Sequence, residues 1–379
     1  MEAYLDNSAT TRPCDAAVQA VQQALTTVWH NPSALYRPAL EDQRRVDAVR
    51  QQCLEAAGAG GQRLIFTGSG TEADNLAILG YLRGVRKSGT VLILQVEHPA
   101  VRACIPEITH LGHAVKEIPV DGEGVCDLEA LENQMVPDTC LICVMQVNNE
   151  TGAVQPLEEI VTLRNRLCPQ AAVHVDGVQG FLRLPVRFNK LGIQSYAFSG
   201  HKIHACKGIG GLIVRKDHPL HPIVFGGGQE EGLRSGTENT PGILSLGAAV
   251  SAWPKDGAER MAALKETLWE SLQTAIPRAI RNGQVPGAPH ILNVSLPPVR
   301  SQTLLQALSA DGVYVSAGSA CSSHRQKTSP VLAAMGIQGE RADSALRFSL
   351  SLYTSKEEIE YAVSRCAAHY QLLARYTRR

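Results

Sequence analysis

The sequence predicts an α/β protein: a large domain on a mostly parallel sheet with helices on both faces, and a second, smaller α+β domain. Three observations carry that reading. The chain has 379 residues, enough for one large and one small domain and for a sizeable core without disulfides. Short apolar runs alternate with longer amphipathic segments through most of its length. After Pro241 that pattern gives way to long helical stretches and shorter strands.

Residues 63–66, 91–94, 141–144, 172–175, 196–198 and 212–214 read as buried strands, each a short apolar run with polar or turn residues around it. Between several of them, residues 72–82 and 157–166 carry helical periodicity. Near-continuous apolar strands that alternate with helices imply a parallel sheet covered on both sides. Ligands of such sheets bind beyond the carboxyl ends of the strands, which makes the residues just after these runs the functional candidates. Further along, residues 242–252 and 257–275 read as helices. Residues 291–296, 313–315 and 346–349 read as strands, and a terminal helix starts near Ser355. The second domain begins near Lys255.

Composition narrows the class. Lys plus Arg and Asp plus Glu stand at 36 each, so no basic excess supports a nucleic-acid or anionic-membrane partner. The start, Met1 to Asp6, lacks a basic stretch followed by an apolar one, and no apolar run approaches the ~18 residues of a membrane span. A cytoplasmic enzyme is the expectation. The ten cysteines are scattered, not arranged as a disulfide framework. Cys140 and Cys143 form a C-x-x-C pair inside an apolar run, where cysteine behaves as a small hydrophobe. No metal site is expected.

The chemistry starts with His174-Val-Asp176-Gly-Val-Gln179 and Phe198-Ser199-Gly-His201-Lys202, each following an apolar run. Asp176 and Lys202 are 26 positions apart (202 − 176), about one helix-plus-strand unit. Pyridoxal phosphate (PLP) needs a lysine to bind it covalently and a carboxylate to keep its ring nitrogen protonated, and these two residues fit. Gln179 could reach the ring hydroxyl, and Ser199 and His201 the phosphate. Taken singly, a buried Asp in a turn and a surface Lys after a strand explain the same residues.

Phe66-Thr-Gly-Ser-Gly70-Thr71 lies between a strand and a helix, a good phosphate cup in which Gly70 and Thr71 face the anion. No Lys follows the glycines, which disfavours a nucleoside triphosphate. A plain helix-capping turn is the alternative. The segment from Gly226 through Arg234 to Thr237 and Asn239 could bind phosphate or simply form a loop. Cys321 stands among small polar residues after a strand, unlike most of the other nine cysteines. That setting suits a nucleophilic thiolate, and a structural cysteine is the other reading.

In combination these motifs resemble cysteine desulfurases of the NifS/IscS type, in the class V aminotransferase group of fold-type I PLP enzymes. The resemblance runs from Leu5-Asp-Asn-Ser-Ala-Thr-Thr11 to Arg347-Phe-Ser-Leu350. It includes Thr-Glu-Ala-Asp-Asn75, Glu97-His98-Pro-Ala-Val101, Asn149-Glu150-Thr-Gly152, Arg234-Ser-Gly-Thr237-Glu-Asn239 and Ser319-Ala-Cys321-Ser-Ser323. It implies a seven-stranded sheet in a large domain of residues 13–254. Residues 1–12 and 255–379 then form the small domain, which carries the catalytic cysteine.

The same resemblance implies roles. Lys202 holds the cofactor, and His98 stacks on its ring and moves protons. Asp176 pairs with the ring nitrogen and Gln179 with the hydroxyl. Gly70, Thr71, Ser199 and His201 hold the phosphate, joined by Thr237 from the second subunit of a homodimer. Asn149, Arg347 and Asn7 bind the carboxylate of L-cysteine. Cys321 takes the sulfur as a persulfide and passes it to an acceptor protein for iron–sulfur cluster, thio-cofactor or tRNA biosynthesis.

Several positions depart from the family pattern. His324 replaces a usual Gly, Thr328-Ser329-Pro330 a Pro-Ser-His, and Arg325-Gln-Lys327 is basic where an acidic residue is common. Ala205-Cys206-Lys207-Gly208 replaces Gly-Pro-Lys-Gly, Tyr36 replaces His, and Pro38-Ala39 replaces a Gly-containing stretch. Other readings on the same scaffold are selenocysteine cleavage, transamination, or a non-catalytic sulfur carrier. Simple transamination does not need Cys321, and a carrier needs none of Lys202, Asp176, His98 and Arg347.

Overall fold

The computed structural model describes residues 1–318 and 329–376. Its central sheet has seven strands among the described residues. Their spatial order is Arg63–Thr67, Gly210–Val214, Ser195–Ser199, Ala172–Asp176, Thr139–Met145, Thr90–Leu94, Ala114–Ile118. All run in one direction except Gly210–Val214, which pairs antiparallel with both neighbours.

Alternation along each strand divides the apolar side chains between two cores. Leu92, Leu94, Ile142, Val144, Val173, Val175, Tyr196 and Phe198 enter the core on one face. Val91, Ile93, Leu141 and Cys143 pack on the other, as do Ile65, Leu212 and Val214 nearer the opposite edge. Helices Asp15–Thr27, Arg37–Ala56, Leu157–Leu167 and Thr240–Ala252 contribute to the first face, and helix Gly70–Leu82 covers the second. The interior strands therefore read as largely apolar, with His174 and Ser195 among the buried polar exceptions. The strand that the apolar runs did not predict is Ala114–Ile118, an edge strand whose Lys116 and Glu117 are exposed. Charged side chains there discourage pairing with another chain and also erase the apolar signal.

A second core gathers Leu268, Leu272, Leu292, Val294, Leu346, Phe348 and Ile359. Its sheet has Ile291–Ser295 in the middle, antiparallel to Ile280–Asn282 and Ala345–Ser349, and helices Gly257–Ala275, Ser301–Ala310 and Lys356–Ala374 pack nearby. The last helix starts with a capping box. Ser355 Oγ accepts from the Glu358 N–H (3.2 Å), and a Glu358 carboxylate oxygen accepts from the Ser355 N–H (2.7 Å). Ala3 and Leu5 join this core, and Ala3–Tyr4 pairs parallel with Val313–Tyr314. From there the N-terminal segment runs to the ends of the large sheet's strands. No helix among the described residues is long and apolar enough to cross a membrane.

Candidate active site

A cavity of about 250 Å³ lies beyond the carboxyl ends of the parallel strands. It is lined by Gly70, Thr71, His98, Asn149, Asp176, Gln179, Ser199, His201, Lys202 and Arg347, which come from separate strand ends and loops.

The anion-binding side is shaped by the start of helix Gly70–Leu82. Ser69 caps it, its Oγ accepting from the Glu72 N–H at 3.1 Å. The next turn places Gly70 and Thr71 at the cavity wall, where unpaired N–H groups and the helix dipole favour a phosphate. Gly70 is also sterically required, because a Cβ there would sit 2.6 Å from Val178 Cγ2 and 3.3 Å from Ser199 Cβ. Opposite, Ser199 Oγ is buried and has no hydrogen-bond partner among the described residues. Burial and the cations Lys202, Lys207 and Arg183 lower His201 to about 4, which makes it a neutral imidazole.

Asp176 ends its strand and accepts from the Val178 N–H at 2.9 Å. Burial raises its carboxyl, while His98, the Val178 N–H and Lys202 oppose that shift. His98 caps the short helix Pro99–Arg102, its Nδ1 accepting from the Ala100 N–H at 3.1 Å. That contact fixes the tautomer, leaving Nε2 to carry the proton. Gln179 donates from Nε2 to the Ser8 carbonyl (3.0 Å) and accepts at Oε1 from His290 Nε2 (3.1 Å). The His290 contact therefore sets which way the amide points.

Lys202 Nζ donates to the carbonyls of Ser8 (2.5 Å) and Ala9 (2.7 Å). Burial, with Arg347 and Arg183 nearby, lowers it to about 7, Asp6 and Asp176 acting the other way. A reactive amine is thus available at neutral pH. Amine-selective labelling of Lys202 in cofactor-free protein is expected to rise through a midpoint near 7. An ordinary lysine would respond only near pH ~10. Peptide mapping of the labelled protein across pH measures it.

Arg347 is almost fully buried on strand Ala345–Ser349, donating to the Asn149 carbonyl (2.8 Å) and to Asp6 Oδ1 (2.6 Å). Its Nε has no partner among the described residues. The guanidinium is fixed at the cavity wall with spare donor capacity, the arrangement a carboxylate-bearing ligand needs. Replacing it by lysine keeps the charge but loses the planar fork. The expected result is a KM for the amino-acid substrate raised about thirtyfold, equivalent to about 2 kcal/mol, in steady-state assays.

Three of the residues expected at the site lie elsewhere or undescribed. Asn7 does not line the cavity. Its amide donates to the carbonyls of Tyr4 (3.0 Å) and Ser349 (2.9 Å), and it borders a second cavity of about 360 Å³ with Arg12, His204 and Tyr353. Thr237 is exposed, outside both cavities. Cys321 lies outside the described residues.

Sequence reasoning gave no role to Asp6, Asp74 or His290. Asp6 meets its partner across 341 positions, which no local pattern reveals. Asp74 had a readable signal, since it falls on the buried face of a helix, one turn after Gly70 and Thr71.

An amine, a carboxyl and an anion cup around one cavity fit pyridoxal phosphate, and the partnerless Ser199 hydroxyl is consistent with a bound phosphate. The family model described as Aminotransferase class-V matches residues 3–362. The cysteine desulfurase of Trichormus azollae is 36% identical over 365 residues, 95% of this chain and 90% of that protein. The cysteine desulfurase NifS of Azotobacter vinelandii is 34% identical over 369 residues, 96% and 91% of the two chains. A solved structure of a NifS-like protein superposes with a TM-score of 0.91 at 32% identity, covering 98% of this chain and 100% of the other.

Proposed function

The chain belongs to the class-V aminotransferase family, and from that premise we propose that it is a PLP-dependent cysteine desulfurase that converts L-cysteine to L-alanine and a persulfide on Cys321. The observation that carries this reading is the joint placement of Lys202, Asp176, Ser199 and Arg347 around one cavity. Likeness to named cysteine desulfurases along nearly the whole chain supports the choice of substrate.

Lys202 would hold the cofactor covalently, Asp176 its ring nitrogen, Gln179 its hydroxyl, and Gly70, Thr71, Ser199 and His201 its phosphate. His98 would lie against the ring. When bound, the group supplies an electron sink for charge developing at the substrate Cα. The chain's own residues do the rest. Arg347 and Asn149 orient the substrate carboxylate, and Lys202, neutral above about pH 7, accepts the Cα proton at Nζ. The Sγ thiolate of Cys321 attacks the substrate sulfur, so that an S–S bond forms as the Cβ–S bond breaks. The electron pair of the broken bond stays with the carbon skeleton, and protonation there gives alanine.

Thr237 is read as reaching the phosphate of a second copy in a homodimer, and the Cys321 persulfide as the donor to a sulfur-acceptor protein. Anaerobic turnover of PLP-loaded protein with L-cysteine and a reductant tests the activity. Equal yields of alanine and sulfide are expected. A PLP-bound protein that forms neither product would overturn the reading.

A further inference from the structure

Behind Asp176 stands a wall of buried carboxyl groups that the mechanism above does not use. Asp74 is 1% exposed, Glu97 3% and Asp176 5%. Asp74 lines the cavity, and its Oδ1 is 3.1 Å from His174 Nε2, while His174 Nδ1 is 2.9 Å from Ser195 Oγ. Among the described residues, His174 is the only partner of Asp74 at ion-pair distance, and neither Glu97 nor Asp176 has a lysine or arginine that close. The other groups facing Asp74 are Asp176 and Glu97, which repel its charge, and the buried thiols Cys104 and Cys143.

The Ser195–His174–Asp74 chain can be satisfied in two ways. With Asp74 ionised, His174 donates from Nε2 and accepts the serine hydroxyl at Nδ1. With Asp74 protonated, its O–H donates to Nε2, and Nδ1–H donates to Ser195 Oγ. Charge decides between them. Carboxylates buried this close together cannot all ionise without cations beside them. Asp176 faces Lys202 and His98 and accepts the Val178 N–H. Asp74 has an imidazole that burial keeps neutral, lowered to about 3.

We propose that Asp74 is a proton-carrying positioning residue: its neutral carboxyl donates to His174 Nε2, fixes the Nδ1–H tautomer, and leaves the charge of this wall on Asp176. Burial and the two neighbouring carboxyls raise Asp74 well above the usual carboxylate range, in the same direction. The value of this to the enzyme rests on the reading of Asp176 as partner of the ring nitrogen. The protonation of Asp74 does not, so the two can fail separately.

Nitrogen-15 NMR of histidine-labelled protein, cofactor-free and PLP-loaded, reports which ring nitrogen of His174 carries the proton, with His174→Gln for assignment. A bare Nε2 and a protonated Nδ1 at neutral pH are expected in both forms. The Nε2–H tautomer, or a doubly protonated ring, would overturn the proposal. Asp74→Asn offers an amide N–H in place of the O–H and is expected to preserve the tautomer. It should also shift the pH titration of the loaded enzyme's visible band by less than about half a unit. A shift beyond about one unit would mean that the substitution removed a charge, so that wild-type Asp74 is ionised, and would overturn the proposal. The wild-type spectrum decides the matter even if the variant does not fold.

Discussion

Lys202→Ala is expected to lower turnover of L-cysteine by about 10⁴-fold or more, because the proposed function makes one side chain both the covalent anchor and the base. The loss should be chemical, not structural. Among the described residues Nζ bonds only the Ser8 and Ala9 carbonyls, which face a cavity large enough for water to replace it. The linkage sign points the same way. Lys202 is lowered to about 7 in the fold and lies near ~10.4 unfolded, so its burial costs most below pH 7, and the cost fades as pH rises toward ~10. The cofactor-free variant should therefore melt no lower than the parent, with its relative gain larger at pH 6 than at pH 9. Calorimetry at the two pH values beside the activity assay checks both halves. Activity retained within about tenfold would place the essential amine elsewhere.

Cys321→Ala should abolish alanine and sulfide formation, by about 10³-fold or more, while the loaded protein keeps its visible absorption band. Attack on sulfur requires a thiolate. Burial pushes Cys53, Cys126 and Cys366 up to about 12, and Cys104 and Cys140 up to about 11, so these thiols are poor nucleophiles at neutral pH. Cys140→Ala is the natural control and should leave the rate unchanged. If the Cys321 variant still produced alanine and sulfide in equal amounts, the sulfur would be leaving by a route that bypasses a protein persulfide.

How much of this was legible follows from where the forces act. Buried strands announce themselves because both faces need apolar side chains, and the residues just after them reach the cavity because strand ends converge there. Edge strand Ala114–Ile118 was silent because solvent permits Lys116 and Glu117. Asp176 and Lys202 could be paired from the sequence because one helix-plus-strand unit separates adjacent strands. Asp6 and Arg347 could not, since only the folded chain brings them together. Asn7 shows the other limit: a polar residue in a site-like motif whose amide nitrogen donates both its hydrogens to backbone carbonyls. His290 reaches Gln179 from the loop before strand Ile291–Ser295, a contact that local periodicity does not encode.

The N-terminal segment that hands its Ser8 and Ala9 carbonyls to Lys202 and its Asp6 carboxylate to Arg347 has a consequence for biosynthesis. Asp6 and Arg347 leave the ribosome 341 positions apart. At ~5–20 residues per second that interval is roughly 20–70 s. For the last 133 of those positions (347 − 214), every strand of the large sheet has been made, and the nascent chain has the lysine end of the pocket but not the arginine. The lysine end of the pocket can therefore assemble before the guanidinium proposed to grip a carboxylate has been made.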